Sequence, residues 1–217
     1  MNPALSAAAV LPLLGWSVHA TALRHRLARA RRDALTALPT REVFTARAAR
    51  LLRERPALVV LIDLDRFKPL NDTHGHAAGD AALRAVAQRL ATWAQHGAAA
   101  RIGGDEFAAI LPTPADPDRE LAALHQALTA PIPYATEALS VGASIGGHLT
   151  APSTTLPDAL AAADAAMYQA KTLGGGWLLA PADPDASWSA PRRWKRNRPT
   201  PGTAPADTHH GRSEHPA

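Results

Sequence analysis

The chain has 217 residues, of which 47% are hydrophobic and only 5% aromatic, and its formal net charge is +4. This length suits one domain with extensions at its ends. The absence of cysteine excludes a disulfide scaffold and a thiolate metal site. Much of the apolar content is alanine, which favours helices packed on a sheet over a β-sandwich.

Basic residues concentrate near the two ends of the chain, in residues 24–55 and 192–198. A nucleic-acid-binding face would interleave basic and aromatic side chains. Only the region around Trp188 and Trp194 has that character, and its proline-rich setting favours a solvated tail. We therefore expect no nucleic-acid partner, and we expect residues 181–217 to be a disordered, proline-rich tail.

Residues 4–23 form an apolar stretch of about the length needed to cross a bilayer. Five arginines follow in residues 24–32, which we predict to form a basic leader helix, before the first acid, Asp33. This order fits a single membrane-spanning helix over residues 1–23 whose basic flank keeps the remainder in the cytoplasm, anchored to the inner face of the cell membrane. The alternative is an amphipathic or coiled-coil leader helix that pairs two subunits. The sequence leaves both interpretations open.

Beyond these ends, residues 33–179 have the pattern of a compact α/β module. Apolar periodicity predicts a helix over residues 41–53 with Thr40 at its cap, and the continuous run 58–62 predicts a buried central strand. Asp80 is expected to cap a second helix. The residues predicted to face inward from that helix are Leu83, Val86, Ala87 and Leu90.

The later part of this module follows the same alternation. Pro114 and Pro117 mark a loop before a helix predicted near residues 118–128. Residues 141–149 are predicted to form a strand, and residues 157–172 a helix that begins with proline and acids.

Gly103 and Gly104 lie between two short apolar runs, which predicts the turn of a β-hairpin. Glycine also lets another molecule approach the main chain. Asp105 and Glu106 leave the turn as adjacent carboxylates, the ligands that hard divalent cations prefer. Such a pattern in isolation is more often an ordinary turn followed by solvated acids.

Asp63 ends the predicted central strand, so it can converge with Asp105 and Glu106 if their strands are neighbours. Three carboxylates together would form a divalent-metal site for phosphate chemistry. Asp65 shares a strand face with Asp63, so either could be the ligand. Asp65 could equally be a turn acid that precedes Arg66.

Five collinear segments closely resemble the GGDEF family of diguanylate cyclases. They are DALTALPTR at 33–41, DLDRFKPLNDTHGHAAGD at 63–80, GGDEF at 103–107, SIG at 144–146 and ADAAMYQAK at 163–171. The resemblance implies a domain over about residues 33–180 with an α+β fold. That fold is a two-layer α/β sandwich with a central, mostly antiparallel five-stranded sheet flanked by helices, a nucleotide-cyclase-like palm. It also implies condensation of two GTP molecules into cyclic di-GMP and two pyrophosphates by a homodimer.

The resemblance assigns roles to particular residues. Mg²⁺ or Mn²⁺ would be held by the carboxylates of Asp63, Asp105 and Glu106 and by the carbonyl of Leu64, which leaves Asp65 out of the ligand set. Catalysis would rest on Asp105, Glu106 and Lys68. The implied substrate-binding residues are Phe67, Lys68, Asn71, Asp80 and Lys171, of which Asn71 and Asp80 would recognise guanine.

The chain departs from the family pattern at three places. Residues 91–100 contain no arginine and no acid, so we expect no feedback inhibition through the family's usual product-binding motif. Gly175 stands where an arginine usually grips the phosphates, which would weaken GTP binding. Ala37 and Thr40 replace a more common glycine and asparagine, which would alter the coupling of the leader helix.

These departures keep competing functions open. The first is an active diguanylate cyclase. The second is a non-catalytic GGDEF-like module that binds GTP or a protein partner. The third is an adaptor for membrane surfaces or nucleic acid that uses the basic flanks, whose binding would collapse with salt.

Overall fold

The structure is a computed structural model and describes residues 31–181. The predicted apolar helix over residues 1–23, residues 24–30 of the predicted leader helix 24–32 and residues 182–217 of the predicted tail 181–217 lie outside the described residues. Within residues 31–181, no helix combines the length and the hydropathy that crossing a bilayer requires. The elements are α1 (Arg41–Glu54), β1 (Ala57–Asp65), α2 (Phe67–His74), α3 (His76–Trp93), β2 (Ala98–Arg101), β3 (Glu106–Pro112), α4 (Pro117–Thr129), β4 (Ile132–Tyr134), β5 (Glu137–Leu139), β6 (Gly142–Leu149), α5 (Leu156–Thr172) and β7 (Gly176–Leu179).

Five strands form one sheet in the order β2-β3-β1-β6-β7. The pairs β2–β3, β3–β1 and β1–β6 are antiparallel, and only β6–β7 is parallel. Strands β4 and β5 form a separate antiparallel hairpin. The α+β fold with a mostly antiparallel five-stranded sheet and flanking helices, expected from the resemblance, is confirmed.

Strand β1 lies at the centre of the sheet and is buried from Ala57 to Leu64. Its side chains alternate between two apolar clusters. Leu58, Val60 and Ile62 pack in the cluster that also holds buried residues of α3 and α4, whereas Val59 and Leu61 pack with those of α1 and α5. The continuous apolar run therefore indicated a strand covered by helices on both faces, as predicted.

Three predicted helices are confirmed with small shifts of their boundaries. Helix α1 begins after Thr40, which occupies the N-cap position without a side-chain capping bond. Helix α4 is capped by Asp116, which accepts a bond from the N–H of Arg119, and α5 is capped by Thr155. The predicted hairpin is also confirmed, because β2 pairs with β3 in antiparallel register.

The expectation that Asp80 caps a helix is wrong. Helix α3 begins at His76, so Asp80 lies inside the helix rather than at its start. The reason is Gly75, whose φ of +82° ends α2 and allows α3 to begin immediately afterwards. The inward-facing residues Leu83, Val86, Ala87 and Leu90 are all buried as predicted.

The leading turn, which we define as residues 33–39, closes through its own main chain. The N–H of Asp33 donates to the carbonyl of Leu38 at 2.8 Å, and the N–H of Ala37 donates to the carbonyl of Asp33 at 2.9 Å. Ala37 is exposed and has a φ of +60°. An L-residue with a Cβ is strained in this left-handed region by about 1–2 kcal/mol.

We predict that Ala37→Gly raises the free energy of unfolding by about 0.5–1 kcal/mol, because relief of this strain exceeds the entropy that glycine adds to the unfolded chain. Urea denaturation measures the change. Ala46→Gly at an exposed position of α1 is the matched control and should lower the free energy of unfolding by about 1 kcal/mol. An Ala37→Gly protein no more stable than the unmodified chain would contradict the strain.

Candidate active site

Asp63 and Glu106 lie directly opposite each other at the end of the central sheet. The antiparallel register of β1 and β3 pairs these two residues, and the register of β1 and β6 pairs Asp63 with Ser144. Because side chains alternate along a strand, Asp63 and Asp65 lie on the same face as Val59 and Leu61, which is the face covered by α5. Directly opposed residues have Cβ atoms about 5 Å apart, so the two acids can act on one ligand.

Lys171 brings a positive charge to Asp63 from the last turn of α5. Its Nζ lies 2.5 Å from Asp63 Oδ1, and the Asp63 side chain is only 4% exposed. A buried carboxylate without a partner would be costly, so this ammonium group compensates for the burial of Asp63. Lys171 itself is 44% exposed. It can therefore face both the carboxylate and an anionic ligand in solvent.

Gly146 explains how α5 approaches the sheet closely enough to make this contact. A Cβ on Gly146 would lie 2.0 Å from the carbonyl oxygen of Ala163 and 2.2 Å from the nitrogen of Met167. Both atoms belong to the main chain of α5, which cannot move aside like a side chain. Only glycine at this position allows α5 to lie directly on β6.

The Gly103–Gly104 turn is the predicted hairpin turn, and its two glycines have different surroundings. A Cβ on Gly103 would lie 2.6 Å from Glu106 Oε2, so the absence of a side chain there makes room for the Glu106 carboxylate. Among residues 31–181, apart from Gly104 itself and its two chain neighbours, no atom lies within 4 Å of the corresponding point at Gly104, so a ligand can approach its main chain. The N–H of Leu64 donates to the main-chain carbonyl of Asp105 at 3.1 Å and joins the turn to β1.

The acidic side chains at this end of the sheet fit a hard divalent cation, because carboxylate oxygens are its preferred ligands. Asp63 and Glu106 supply such oxygens from opposed positions. Among residues 31–181, however, no three acidic or histidine side chains are grouped as a ready-made metal site. The metal ligands expected from the resemblance, including Leu64 and Asp105, therefore remain a prediction.

Arg101 connects the leading turn to the hairpin turn, a role that sequence reasoning missed. Its Nε and Nη2 donate to the carbonyl of Gly104 at 3.1 and 2.7 Å, and its Nη1 donates to Asp33 Oδ1 at 3.1 Å. Burial opposes ionisation of Asp33, but hydrogen bonds from Thr36 and the guanidinium of Arg101 outweigh it and lower the pKa of Asp33. The available signal was an arginine two residues before Gly103 and an acid at the head of the leading turn.

The segment between β1 and α3 contains the residues expected to bind phosphate. Arg66 has a φ of +53° and turns the chain from β1 into α2. Phe67 and Lys68 then occupy the first turn of α2, and Lys68 is exposed. Helix α2 was not predicted, because it is short and polar and contains Pro69.

The residues expected to recognise guanine lie on the contacting helices α2 and α3. Asn71 lies so close to Gly79 that its Oδ1 would be 1.9 Å from a Cβ at that position. Gly79 was missed by sequence reasoning, although a glycine inside a helical pattern signals close packing. It immediately precedes Asp80, whose side chain is 48% exposed and lies 3.9 Å from Arg84. The structure thus places Asn71 and Asp80 on adjoining elements and leaves Asp80 accessible.

Comparison with known proteins identifies relatives over this same region. The sequence profile described as diguanylate cyclase, GGDEF domain, matches residues 30–176. An uncharacterised 19.3 kDa protein from the repSA 5′ region of Streptomyces ambofaciens is 54% identical over 171 residues, which are 76% of this chain and 92% of that protein. Diguanylate cyclase TpbB of Pseudomonas aeruginosa is 38% identical over 68% of this chain, but only 36% of TpbB is covered.

A solved structure has the same fold. The coiled coil and GGDEF domain of DgcB from Caulobacter crescentus, in complex with c-di-GMP, is similar to this chain with a TM-score of 0.67 and 26% identity. The similarity covers 78% of this chain and 96% of the DgcB chain. The described fold and the profile match therefore coincide on the same domain.

We predict that Arg101→Ala lowers the free energy of unfolding by about 2–3 kcal/mol. The substitution removes a largely buried guanidinium together with its charge-assisted hydrogen bonds to the leading turn and to the hairpin turn. Denaturant unfolding measures the loss. Arg50→Ala is the control, since its ion pair with Glu54 spans 4.0 Å between side chains that are 68% and 54% exposed, and it should change stability by less than about 0.5 kcal/mol. Equal effects of the two substitutions would refute the bridging role.

Proposed function

Since the chain belongs to the GGDEF family of diguanylate cyclase domains, we propose that it condenses two molecules of GTP into cyclic di-GMP. In each of two steps, the ribose 3′-oxygen of one nucleotide bonds to the α-phosphorus of the other, and the bond from that phosphorus to pyrophosphate breaks. The observation that carries the proposal is the arrangement at the end of β1. There, buried Asp63 lies opposite Glu106 and contacts Lys171 beside an open glycine turn.

The residues fit a role for a divalent ion, Mg²⁺ or Mn²⁺, held by Asp63, Asp105, Glu106 and the Leu64 carbonyl. When bound, such an ion would neutralise the α-phosphate and lower the pKa of the attacking hydroxyl. In the structure, the ammonium group of Lys171 already donates a hydrogen bond to the carboxylate of Asp63. Lys171 therefore competes with any cation for Asp63, and release from that carboxylate would turn the ammonium group towards the phosphates.

The triphosphate would bind where β1 passes into α2. The main chain of residues 64–68 would line the triphosphate, with N–H groups supplied by the residues after Leu64, whose own N–H is donated to Asp105. The exposed side chain of Lys68 adds a positive charge. Lys171 would approach the same phosphates from α5. Catalysis would then depend mainly on positioning and charge neutralisation, because phosphoryl transfer needs little covalent help from the protein.

Selection of GTP would come from α2 and α3. The carboxylate of Asp80 can accept hydrogen bonds from both N1–H and the exocyclic amine of guanine, and Asn71 can complete the recognition. Adenine offers no such pair of donors. Binding ATP would leave the acceptor unpaired, which is a strong basis for rejection.

One such site would hold one GTP, so the reaction requires two sites facing each other in a symmetric dimer. We propose that residues 1–32 bring the subunits together, either as a leader helix or as a membrane anchor, and so raise the effective concentration of the two half-sites. Because the chain spans only 36% of TpbB, the remainder of that protein provides no guide to the signal this chain receives.

A second candidate function is a non-catalytic module that binds GTP or a protein partner. The observation favouring it is Gly175, which replaces the usual arginine and has a φ of +108°. This candidate and the cyclase both predict GTP binding. Only the cyclase predicts product.

We predict that the purified full-length chain, concentrated as a dimer with Mg²⁺ and GTP, forms cyclic di-GMP and pyrophosphate. Asp63→Ala and Asp105→Ala should each lower the rate by at least about a hundredfold, because each removes charge needed at the transferring phosphate. Removal of the metal with a chelator should have the same effect. Chromatography of the product and a pyrophosphate assay measure the rates.

The matched control for these acids is Asp118→Ala, an exposed carboxylate in the first turn of α4, which should keep the full rate. Absence of product even after artificial dimerisation would reject the cyclase. GTP binding that persists without product would instead support the non-catalytic module.

We predict that Asp80→Ala lowers the ratio of kcat/KM for GTP to kcat/KM for ATP by about a hundredfold. The alanine variant has no carboxylate to bind guanine, and none that ATP binding would leave unpaired. Competition between the two nucleotides measures the ratio. Asp72→Ala removes an exposed acid of α2 and serves as the control. A selectivity ratio that is the same in both variants would show that Asp80 does not recognise the base.

A further inference from the structure

Asp65 is the acid of β1 that the family resemblance leaves without a role, and its carboxylate fills a defined slot. Ser144 Oγ donates a hydrogen bond of 2.6 Å to Asp65 Oδ1. The other oxygen, Oδ2, lies 2.8 Å from the point that a Cβ on Gly175 would occupy and 3.1 Å from the corresponding point at Gly142. We call this space, bounded by Ser144, Gly142 and Gly175, the Asp65 slot.

The Asp65 slot joins the two segments that are expected to hold the triphosphate. Asp65 lies within the phosphate loop, which we define as residues 64–68, immediately before Arg66. Gly175 lies in the turn that ends α5, because its N–H donates to the carbonyl of Ala170 at 2.9 Å. Lys171 occupies the last turn of the same helix. The Asp65 carboxylate thus lies between the phosphate loop, to which Asp65 belongs, and the turn that ends α5, where it fills the space that a Cβ on Gly175 would need.

We propose that Asp65 is a positioning residue of the nucleotide site. Its carboxylate holds the phosphate loop and Lys171 at a fixed separation, so that both can reach one triphosphate. This inference rests on the proposed function, since it concerns the same nucleotide. Asp65 does not touch the reacting atoms and acts through Ser144 and Gly175.

The same geometry assigns a role to Gly175. Its φ of +108° favours glycine, and a side chain there would press on the Asp65 carboxylate. Gly175 therefore belongs to the Asp65 slot and is more than the site of a lost phosphate contact. Consequently Gly175→Arg, which would restore the family's usual residue, should weaken GTP binding rather than strengthen it.

The test measures affinity and turnover separately in the full-length chain. Affinity is measured by calorimetric titration with 3′-deoxyGTP, which lacks the attacking hydroxyl and cannot condense. Asp65→Ala should raise the Kd for 3′-deoxyGTP and the KM for GTP by about tenfold, the loss expected for one charge-assisted hydrogen bond, while kcat changes less. Asp65→Asn keeps an acceptor for Ser144 and should retain the affinity within about threefold.

Two glycines that share a backbone conformation provide the matched control. Gly174 has a φ of +101° and open space at its Cβ position, whereas Gly175 has a similar φ but a Cβ there would lie 2.8 Å from Asp65 Oδ2. Gly174→Ala and Gly175→Ala therefore both place alanine at a positive φ of similar size, and only the second disturbs the Asp65 slot. We expect Gly175→Ala to weaken 3′-deoxyGTP binding about tenfold more than Gly174→Ala, and Asp65→Ala to remove that difference.

The outcomes separate this inference from the proposed function. If the unmodified chain turns over GTP but Asp65→Ala and Gly175→Arg bind 3′-deoxyGTP as it does, the positioning role is wrong and the cyclase stands. If the chain binds 3′-deoxyGTP but forms no cyclic di-GMP from GTP, the proposed cyclase activity is wrong. The measured affinities of the variants for 3′-deoxyGTP then still decide the role of Asp65. Should Asp65→Ala not fold, Ser144→Ala removes the same hydrogen bond and should raise the Kd about threefold; an unchanged Kd in that variant overturns the inference.

Discussion

The pairing of β1 with its two neighbours is the constraint on which the site depends. Because β1 is buried on both faces, its side chains are committed to two different helix layers. A slip of one residue would exchange these faces and move Asp63 and Asp65 away from α5. The same register places Glu106 and Ser144 on either side of Asp63. Burial of aliphatic side chains along the strand therefore determines where its terminal acids lie.

Four glycines, which have no side chain, allow other groups of the site to approach closely. At Gly79, Gly103 and Gly175, the space of a Cβ is taken by a polar group of Asn71, Glu106 or Asp65, respectively. At Gly146 the same space is taken by the main chain of α5. In each case a functional group or the helix that carries one comes closer than any other residue would permit. The packed sheet and helices fix the positions of the elements, and glycine allows the close contacts between them.

The sequence predicted features that depend on local pattern. The buried strand at residues 58–62, the glycine hairpin and the helices α1, α4 and α5 all follow from apolar periodicity and turn residues. Helix α2 and the start of α3 did not, because they depend on the left-handed Arg66 and on Gly75, whose conformations no periodicity reveals. Arg101, Gly79 and the Asp65 slot depend on contacts between segments far apart in the chain, so only the folded structure shows them.

Those long-range contacts also link the parts of the site to one another. Asp33 accepts a hydrogen bond from Arg101, and Arg101 donates to the carbonyl of Gly104, which immediately precedes Asp105 and Glu106. On the other side of β1, Asp65 accepts a hydrogen bond from Ser144 of β6, and its carboxylate lies beside Gly175 in the turn after α5. The hairpin turn is thus tied to the leading turn, and Lys171 is tied to the strand that carries Asp63. Arg101 therefore provides a direct path by which a displacement of residues 33–39 would reach the Gly103–Gly104 turn, which precedes Asp105 and Glu106.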